Sequence, residues 1–131
     1  MSAKDAETIR AGVAALNRGD LDGMIETLDP DVELIPLRAL LDGSTYRGHD
    51  GMRQWMDDVA EDWTQYQLTV EDVQEVRPGR VLVRARMNLR GRSGVEVENP
   101  GLWVCDLRAA KVTRIQFFTD PDAAQAAAEE V

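Results

Sequence analysis

The chain has 131 residues, a length that fits one domain with a single hydrophobic core over residues 1–131. Fifteen basic and 24 acidic side chains give a formal net charge of −9, which disfavours binding to nucleic acid or to anionic lipid. No apolar run approaches the roughly 20 residues of a membrane span, and no secretory segment opens the sequence. One cysteine, Cys105, excludes an internal disulfide, so we expect a cytoplasmic protein.

Helical spacing dominates the first half of the chain. A first helix is predicted to end at Gly19, and Asp20 suits the N-cap of a short second helix that Asp29-Pro30-Asp31 should stop. Apolar residues recur at intervals of three and four on the inner faces of both helices. These residues are Ala6, Ile9, Val13 and Leu16, followed by Leu21, Met24, Ile25 and Leu28.

A short strand from Val32 to Leu37 and a loop that reaches Gly48 are predicted next. Asp50 is then expected to cap a third helix. The inner stripe of this helix consists of Met52, Trp55, Met56, Val59 and Trp63. Its outer face, which we expect to be solvated, carries Asp57, Asp58, Glu61 and Asp62.

From Tyr66 onward the apolar pattern changes to a period of two, which predicts strands joined by tight turns. The predicted strands are Gln67 to Arg77, Val81 to Arg90, a segment around Val95 and Val97, Gly101 to Leu107, and Lys111 to Phe118. Asp120-Pro121 combines an N-cap residue with a proline at the first helical position, so a C-terminal helix is predicted there. Helices followed by antiparallel strands indicate an α+β fold.

Several turn and cap segments carry a resemblance to a known family. These are Leu16-Asn17-Arg18-Gly19-Asp20-Leu21-Asp22, Asp29-Pro30-Asp31-Val32-Glu33-Leu34, Tyr46-Arg47-Gly48-His49-Asp50-Gly51 and the strand Lys111-Val112-Thr113-Arg114-Ile115. They resemble the SnoaL-like branch of the nuclear transport factor 2-like superfamily. The resemblance implies an α+β conical barrel, in which a strongly curved, mostly antiparallel sheet wraps around three helices, with a short C-terminal helix and a cavity open at one end.

Members of this superfamily include ketosteroid isomerase, limonene epoxide hydrolase, scytalone dehydratase, polyketide cyclases and non-catalytic binding domains, so fold does not settle activity. Ketosteroid isomerase uses an aspartate base, with a tyrosine and a protonated aspartate as oxyanion donors. The positions that match these groups hold Ile35, Gly12 and, for the second aspartate, Gly101 or Leu102. Proton abstraction by that scheme is therefore not expected.

Limonene epoxide hydrolase uses an Arg-x-Asp pair on a middle strand and an aspartate on the last strand. The pair matches Arg86-Met87-Asn88, where asparagine replaces the acid, and the last-strand acid falls at Phe117. An amide cannot take a proton from water at neutral pH, so this mechanism is not expected either. Polyketide cyclases use a histidine and an aspartate. The one histidine, His49, lies beside Asp50, where the pair can equally shape and cap the start of the third helix.

A row of charged residues is the polar feature with most spatial information. Arg84, Arg86, Asn88 and Arg90 share one face of their strand, and Glu96 and Glu98 share one face of the next. A three-residue turn over residues 91–93 predicts Arg86 opposite Glu98. One interpretation is a salt ladder on the outer surface, which adds little stability. The other places Arg86, Asn88 and Glu98 inside the cavity as catalytic residues that bind and polarise a ligand.

Aromatic and methionine side chains at these spacings are typical of a core, but in a conical fold part of the core wall is also the pocket wall. Trp55, Met56 and Trp103 are therefore the main candidates for ligand contact. Glu33, His49 and Phe117 complete the candidate ligand-binding set. One histidine and one cysteine far apart in the sequence give no metal-ligand spacing, and we expect neither a metal nor a cofactor.

Two functions remain open at this point. The first is binding of a small, largely apolar molecule, with cyclisation, isomerisation or hydration or hydrolysis of a polyketide-like or terpenoid-like compound as the reaction that the resemblance implies. The alternative is a non-catalytic binding or interaction module. A homodimer is expected in both cases, because the apolar run Leu102-Trp103-Val104-Cys105 needs cover on both sheet faces and helices are expected on the concave face alone.

Overall fold

The computed structural model describes residues 3–37 and 39–130. The helices are α1 (Ala3–Asn17), α2 (Leu21–Glu26), α3 (Ala39–Asp42), α4 (Gly48–Asp62) and α5 (Pro121–Glu129). The strands are β1 (Leu28–Ile35), β2 (Tyr46–Arg47), β3 (Trp63–Arg77), β4 (Arg80–Gly91), β5 (Glu96–Arg108) and β6 (Lys111–Phe118). None of the helices in these ranges is long and apolar enough to cross a membrane.

The strands form one sheet in the order β2-β1-β6-β5-β4-β3, in which only β1 and β6 pair in parallel within the described ranges. Register shifts interrupt the long β3–β4 ladder near Trp63, Val70 and Glu75. Such irregularities bend a strand and increase its twist, so the sheet curves. The predicted α+β fold with a curved, mostly antiparallel sheet is confirmed, although the edge strands β2 and β3 are not paired with each other in the described chain.

The concave face of the sheet holds the main core. Alternate residues of β4 and β5 point to this side, among them Val81, Val83, Trp103 and Cys105, and pack with the buried residues of α1, α2 and α4. The buried helical residues of this core are Ile9, Ala15, Met24, Ile25, Met52 and Trp55. The helical stripes predicted from the sequence therefore supply the inner wall of the molecule.

The outer face of β5 is covered by the chain itself. Leu102 and Val104 pack with Leu82 of β4 and with Ala124 and Ala128 of α5, and all five residues are buried. The expectation that helices cover only the concave face is therefore wrong, because the C-terminal helix docks on the opposite side. The homodimer stays a prediction, but the apolar run of β5 no longer supports it.

The start of α4 also differs from the prediction. The helix begins at Gly48, directly after strand β2, and the side chain of its N-cap residue Arg47 makes no capping hydrogen bond. Gly48 has a φ of +70°, a conformation that favours glycine and lets the chain turn from strand into helix. Asp50 therefore lies in the first helical turn and not at the cap. In that turn its negative charge still interacts favourably with the positive end of the helix dipole.

Other boundaries move for related reasons. Trp63 belongs to β3 and not to α4, because its backbone is extended although its N–H still bonds the carbonyl of Val59. The segment predicted as a loop before Gly48 contains α3 and β2. Strand β1 starts at Leu28, and Pro30 lies within the register shift between Leu28 and Glu33. Regular ladder pairing is interrupted there, so a proline, which has no backbone N–H, is tolerated.

The predicted cap of the C-terminal helix is confirmed and can be tested. The carboxylate of Asp120 accepts a hydrogen bond from the backbone N–H of Asp122, with 3.1 Å between oxygen and nitrogen. Replacement Asp120→Ala leaves that donor to water, and we expect the free energy of unfolding to fall by about 1 kcal/mol. Asp120→Asn, which keeps an acceptor, should remain close to the parent chain in urea denaturation. Equal stabilities of the two variants would contradict the capping role.

Candidate functional site

Two adjoining compartments lie between the concave face of the sheet and the helices. The inner compartment has a volume of about 70 Å³ and is bordered by α1, α2 and α4 and by the strands β1, β3, β5 and β6. The lining residues are apolar apart from Thr8, Thr27, Cys105 and Trp103, whose side chains carry hydroxyl, thiol and indole N–H groups. The bulkier apolar residues around it include Ile9, Leu16, Met24, Met52 and Leu68.

The outer compartment is larger, with a volume of about 200 Å³. It lies where β1 ends, α4 passes into β3, and β4 approaches its own end. The residues around it are Pro36, Leu37, Tyr46, Trp55, Asp58, Val59, Asp62, Trp63, Tyr66, Met87, Leu89 and Phe117. This compartment therefore combines an aromatic and aliphatic wall with a small number of polar groups, as ligand sites commonly do.

Aromatic rings separate the two compartments. Trp55 and Phe117 line both of them, and their ring centroids lie 6.3 Å apart in an edge-to-face arrangement. Trp55 also meets Tyr66 edge-to-face at 5.8 Å, and Phe117 packs against Trp103 at 5.5 Å. Edge-to-face pairs stabilise one another beyond simple burial, so the divider is a packed aromatic cluster. A ligand in either compartment contacts Trp55 and Phe117.

The outer compartment contains a hydrogen-bonded pair of polar side chains. The Tyr46 hydroxyl donates to Oδ2 of Asp58 at 2.6 Å, and the Gln54 amide donates to Oδ1 of the same carboxylate at 2.8 Å. Burial raises the pKa of the Tyr66 hydroxyl, so this second phenol stays neutral at physiological pH. The outer compartment therefore offers two carboxylates, of Asp58 and Asp62, and the phenols of Tyr46 and Tyr66 to a bound molecule.

Sequence reasoning missed Tyr46 and Asp58. It assigned Asp58 to the solvated face of the third helix and Tyr46 to a loop. The available signal was the helical spacing, because Asp58 follows Trp55 by three residues and so lies on the same side of the helix. The position of Tyr46 depends on the pairing of β2 with β1, where Tyr46 lies opposite Leu34, and a two-residue strand leaves little trace in the sequence.

The polar groups of the inner compartment differ in whether they have partners. The Thr8 hydroxyl lies 3.0 Å from the carbonyl oxygens of both Lys4 and Ala110 and donates its one hydrogen to one of them. The Thr27 hydroxyl donates to the carbonyl of Met24. The indole Nε1 of Trp103 is buried and has no hydrogen-bond partner among the described residues. Burial raises the pKa of the Cys105 thiol to about 12, so this side chain stays protonated and is a poor nucleophile.

The candidate ligand-binding residues divide by position. Trp103 lines the inner compartment, and Trp55 and Phe117 line both compartments. Met56 is half-buried against the core and borders neither compartment. Outside both walls, Nε2 of His49 lies 3.0 Å from the carbonyl oxygen of Leu28, which ties the start of α4 to β1.

Glu33 also lies outside both compartments. Its carboxylate pairs with Arg47 of β2 at 2.7 Å and with Arg114 of β6 at 3.6 Å. These two strands are the neighbours of β1 in the sheet, so the carboxylate links three adjacent strands. A group of three or more His, Cys, Asp or Glu side chains suited to hold a metal ion is absent from the described part of the chain.

The charged row lies on the outer face of the sheet. Arg86, Asn88 and Glu98 alternate with the concave residues of β4 and β5 and share the side of Leu82, which α5 covers. Arg86 pairs with Glu98 at 2.8 Å and with Glu71 at 3.5 Å, and the Arg86 side chain is 48% exposed. The charged row therefore occupies the position expected for a salt ladder on the outer surface, outside both compartments. Neither of the two cavity walls contains a member of the row.

The register of this hairpin differs from the prediction by two residues. Glu98 lies opposite Asn88, and Arg86 lies opposite Pro100, because residues 92–95 connect the two strands. A shift of two residues leaves every side chain on the same face, so the hydrophobic pattern cannot distinguish these registers. The long Arg86 side chain nevertheless reaches Glu98 diagonally.

Comparison with known proteins places the chain among proteins of one fold. A model of a family described as SnoaL-like domain matches residues 9–115. Uncharacterized proteins of Mycobacterium bovis and Mycobacterium tuberculosis are 30% identical over 125 residues, which cover 92% of this chain and 93% of theirs.

Similar solved structures include TerC co-crystallised with polyporic acid, which is 22% identical, has a TM-score of 0.83 and covers 98% of this chain and 100% of that chain. Another is a Mycobacterium tuberculosis protein in complex with estradiol-17beta-hemisuccinate, which is 16% identical, has a TM-score of 0.77 and covers 92% and 97% of the two chains. At these identities the likeness establishes the fold alone.

The buried thiol predicts how stability depends on pH. The Cys105 thiol ionises near pH 9 in the unfolded chain but only near pH 12 in the folded protein, because burial disfavours the thiolate. Its contribution is fully present below pH 9 and is lost as the pH rises towards 12, since only the unfolded state releases the proton. Denaturant unfolding at pH 8, 9 and 10 should show stability falling by up to about 1.4 kcal/mol per pH unit above pH 9.

The matched variant is Cys105→Ala, which removes this thiol and keeps Tyr66, whose pKa is about 10 in the unfolded chain and is raised by burial in the folded protein. Its stability should be lower at pH 8 because of the lost packing, and its stability should depend less on pH between pH 9 and 10. A slope in this variant equal to that of the parent chain would contradict the assignment.

Proposed function

The chain belongs to the SnoaL-like domain family, and from this premise we propose that it binds a small, largely apolar molecule in the two compartments of its concave face. The observation that carries the proposal is the lining of the outer compartment, where apolar and aromatic side chains surround one tyrosine–aspartate pair. Binding buries apolar ligand surface against these side chains, and the pair orients a polar group of the ligand.

The volumes limit the size of the ligand. Pockets for drug-sized molecules have about 300–1,000 Å³, whereas an apolar cavity of about 150 Å³ already accepts benzene. The outer compartment, at about 200 Å³, therefore suits a substituted six-membered ring. The inner compartment, at about 70 Å³, adds room for only a few atoms. Neighbours of the same fold crystallised with polyporic acid and with estradiol-17beta-hemisuccinate support a preference for ring compounds.

The binding proposal predicts that bulk added to the outer compartment blocks a ring-sized probe. Val59 is half-buried and borders this compartment, so Val59→Phe should weaken acetophenone binding at least tenfold in a titration followed by NMR. Val95 is 60% exposed in the β4–β5 connection, and Val95→Phe adds the same bulk elsewhere. This control and Arg86→Leu should both bind as the parent chain does. Loss of binding on Arg86→Leu would instead indicate that the charged row takes part in ligand binding.

A second candidate function is proton transfer at the bound ligand, and the Tyr46–Asp58 hydrogen bond is the observation that favours it. A carboxylate is a suitable base for a proton next to a carbonyl group, and a phenol can return a proton to oxygen. Such steps begin the cyclisation or isomerisation of polyketide-like compounds. Without them, the chain functions as the non-catalytic binding module. The homodimer and the cytoplasmic location also stay predictions.

This second candidate is tested by isotope exchange. In D₂O, Asp58 acting as a base should accelerate deuterium incorporation into the methyl group of acetophenone, measured by proton NMR. Asp58→Asn should remove the acceleration because an amide does not take the proton. Asp57→Asn, at an exposed neighbouring residue, should leave the exchange rate unchanged. Binding without accelerated exchange would favour the non-catalytic module.

A further inference from the structure

We propose that the indole N–H of Trp103 donates a hydrogen bond to an oxygen atom of the ligand, and that the ligand is an uncharged ring compound with a carbonyl or ether oxygen at its inner end. This inference rests on the proposed function, because it requires that the concave compartments bind a ligand. It identifies a recognition residue on β5, away from the Tyr46–Asp58 pair.

The first observation is that Trp103 is an unsatisfied donor. Its side chain is 95% buried, since the residue is 5% exposed, and Nε1 has no partner within the described part of the chain. Buried tryptophan N–H groups usually find an acceptor, and one left unsatisfied is costly. It is also the only such side-chain nitrogen or oxygen atom in the described residues.

The second observation concerns the space beside the indole. Gly101 precedes Trp103 by two residues on the same face of β5, and a Cβ at position 101 would lie 3.7 Å from Cζ2 of Trp103. Cζ2 is bonded to the ring carbon that carries Nε1, so this edge of the indole lies towards Gly101. The same point is 3.3 Å from Sδ of Met87, a residue that also lines the outer compartment.

The edge of the indole that carries Nε1 therefore lies beside Gly101 and the flexible thioether of Met87, on the side of Trp103 that is next to the outer compartment. Methionine has three rotatable side-chain bonds and adapts its shape readily. A ligand that enters from the outer compartment can displace Met87 and bring an acceptor to Nε1. Any side chain at position 101 would crowd Met87 and reduce this freedom.

The chemistry of the surroundings selects the ligand group. Met87 and Phe117 lie close to this indole, and both side chains are apolar. A carboxylate would lose its hydration without a counter-ion, which is unfavourable in an apolar wall. A neutral carbonyl or ether oxygen needs only the one donor that Trp103 supplies.

Acetophenone and α-methylstyrene test the inference, because they have nearly the same shape and differ by an oxygen atom in place of a CH₂ group. Acetophenone should bind about tenfold more tightly, since it alone accepts the hydrogen bond. The protein has three tryptophans, so ¹⁵N labelling gives three indole N–H signals. The Trp103 signal, assigned by its loss in Trp103→Phe, should move downfield with acetophenone and not with α-methylstyrene.

Variants separate the donor from the bulk of the ring. Trp103→Phe should bring the two affinities together while α-methylstyrene still binds. Trp63→Phe, at a residue that borders the outer compartment and not the inner one, should keep the tenfold difference between the two affinities. If Trp103→Phe does not fold, Trp55→Phe and Trp63→Phe assign the remaining signal, and the parent chain decides by its NMR shifts. Equal affinities of the parent chain for both probes, without a shift at Trp103, would overturn this inference alone. Binding of neither probe would overturn the proposed function together with it.

Discussion

The structure depends on the alternation of side chains along β5, the strand at which both sides of the sheet are covered. Trp103 and Cys105 point to the concave core, whereas Leu102 and Val104 point to α5. A shift of one residue would exchange these two sets, so the hydrophobic pattern fixes the face of each side chain firmly. This alternation therefore determines the position of each compartment residue that belongs to β4 or β5.

The same alternation separates charge from the cavity. Arginine and glutamate side chains of β4 and β5 lie on the outer face, where they pair in solvent, and the buried concave positions of these strands are apolar. The ionisable groups that reach the outer compartment come from β2, α4 and β3 instead. The sheet therefore provides shape and apolar surface, and the elements at its open end provide the polar chemistry. This division favours ligands that are apolar over most of their length.

Much of this arrangement could be predicted from the sequence. The stripes of α1, α2 and α4, the terminal strand and the Asp120 cap follow from short-range spacing and turn chemistry, which act within one element. Three features could not be predicted: the docking of α5 on the outer face, the shift of two residues in the register of the β4–β5 hairpin, and the Tyr46–Asp58 contact. Each depends on how separate elements meet, and both faces of an alanine-rich helix look alike in sequence.

The unsatisfied donor of Trp103 connects stability to selectivity. An unpaired buried N–H destabilises the free protein by about 1–3 kcal/mol, a considerable fraction of the 5–15 kcal/mol that holds a domain folded. Burial already removes most solvent contact from this residue, so a ligand oxygen that reaches Nε1 forms a hydrogen bond with little further desolvation of the protein. A ligand of equal shape without the oxygen leaves the donor unsatisfied. Discrimination between the two ligands then originates in the unpaired donor of the free site, and Trp103 packs there against Phe117, which in turn contacts Trp55.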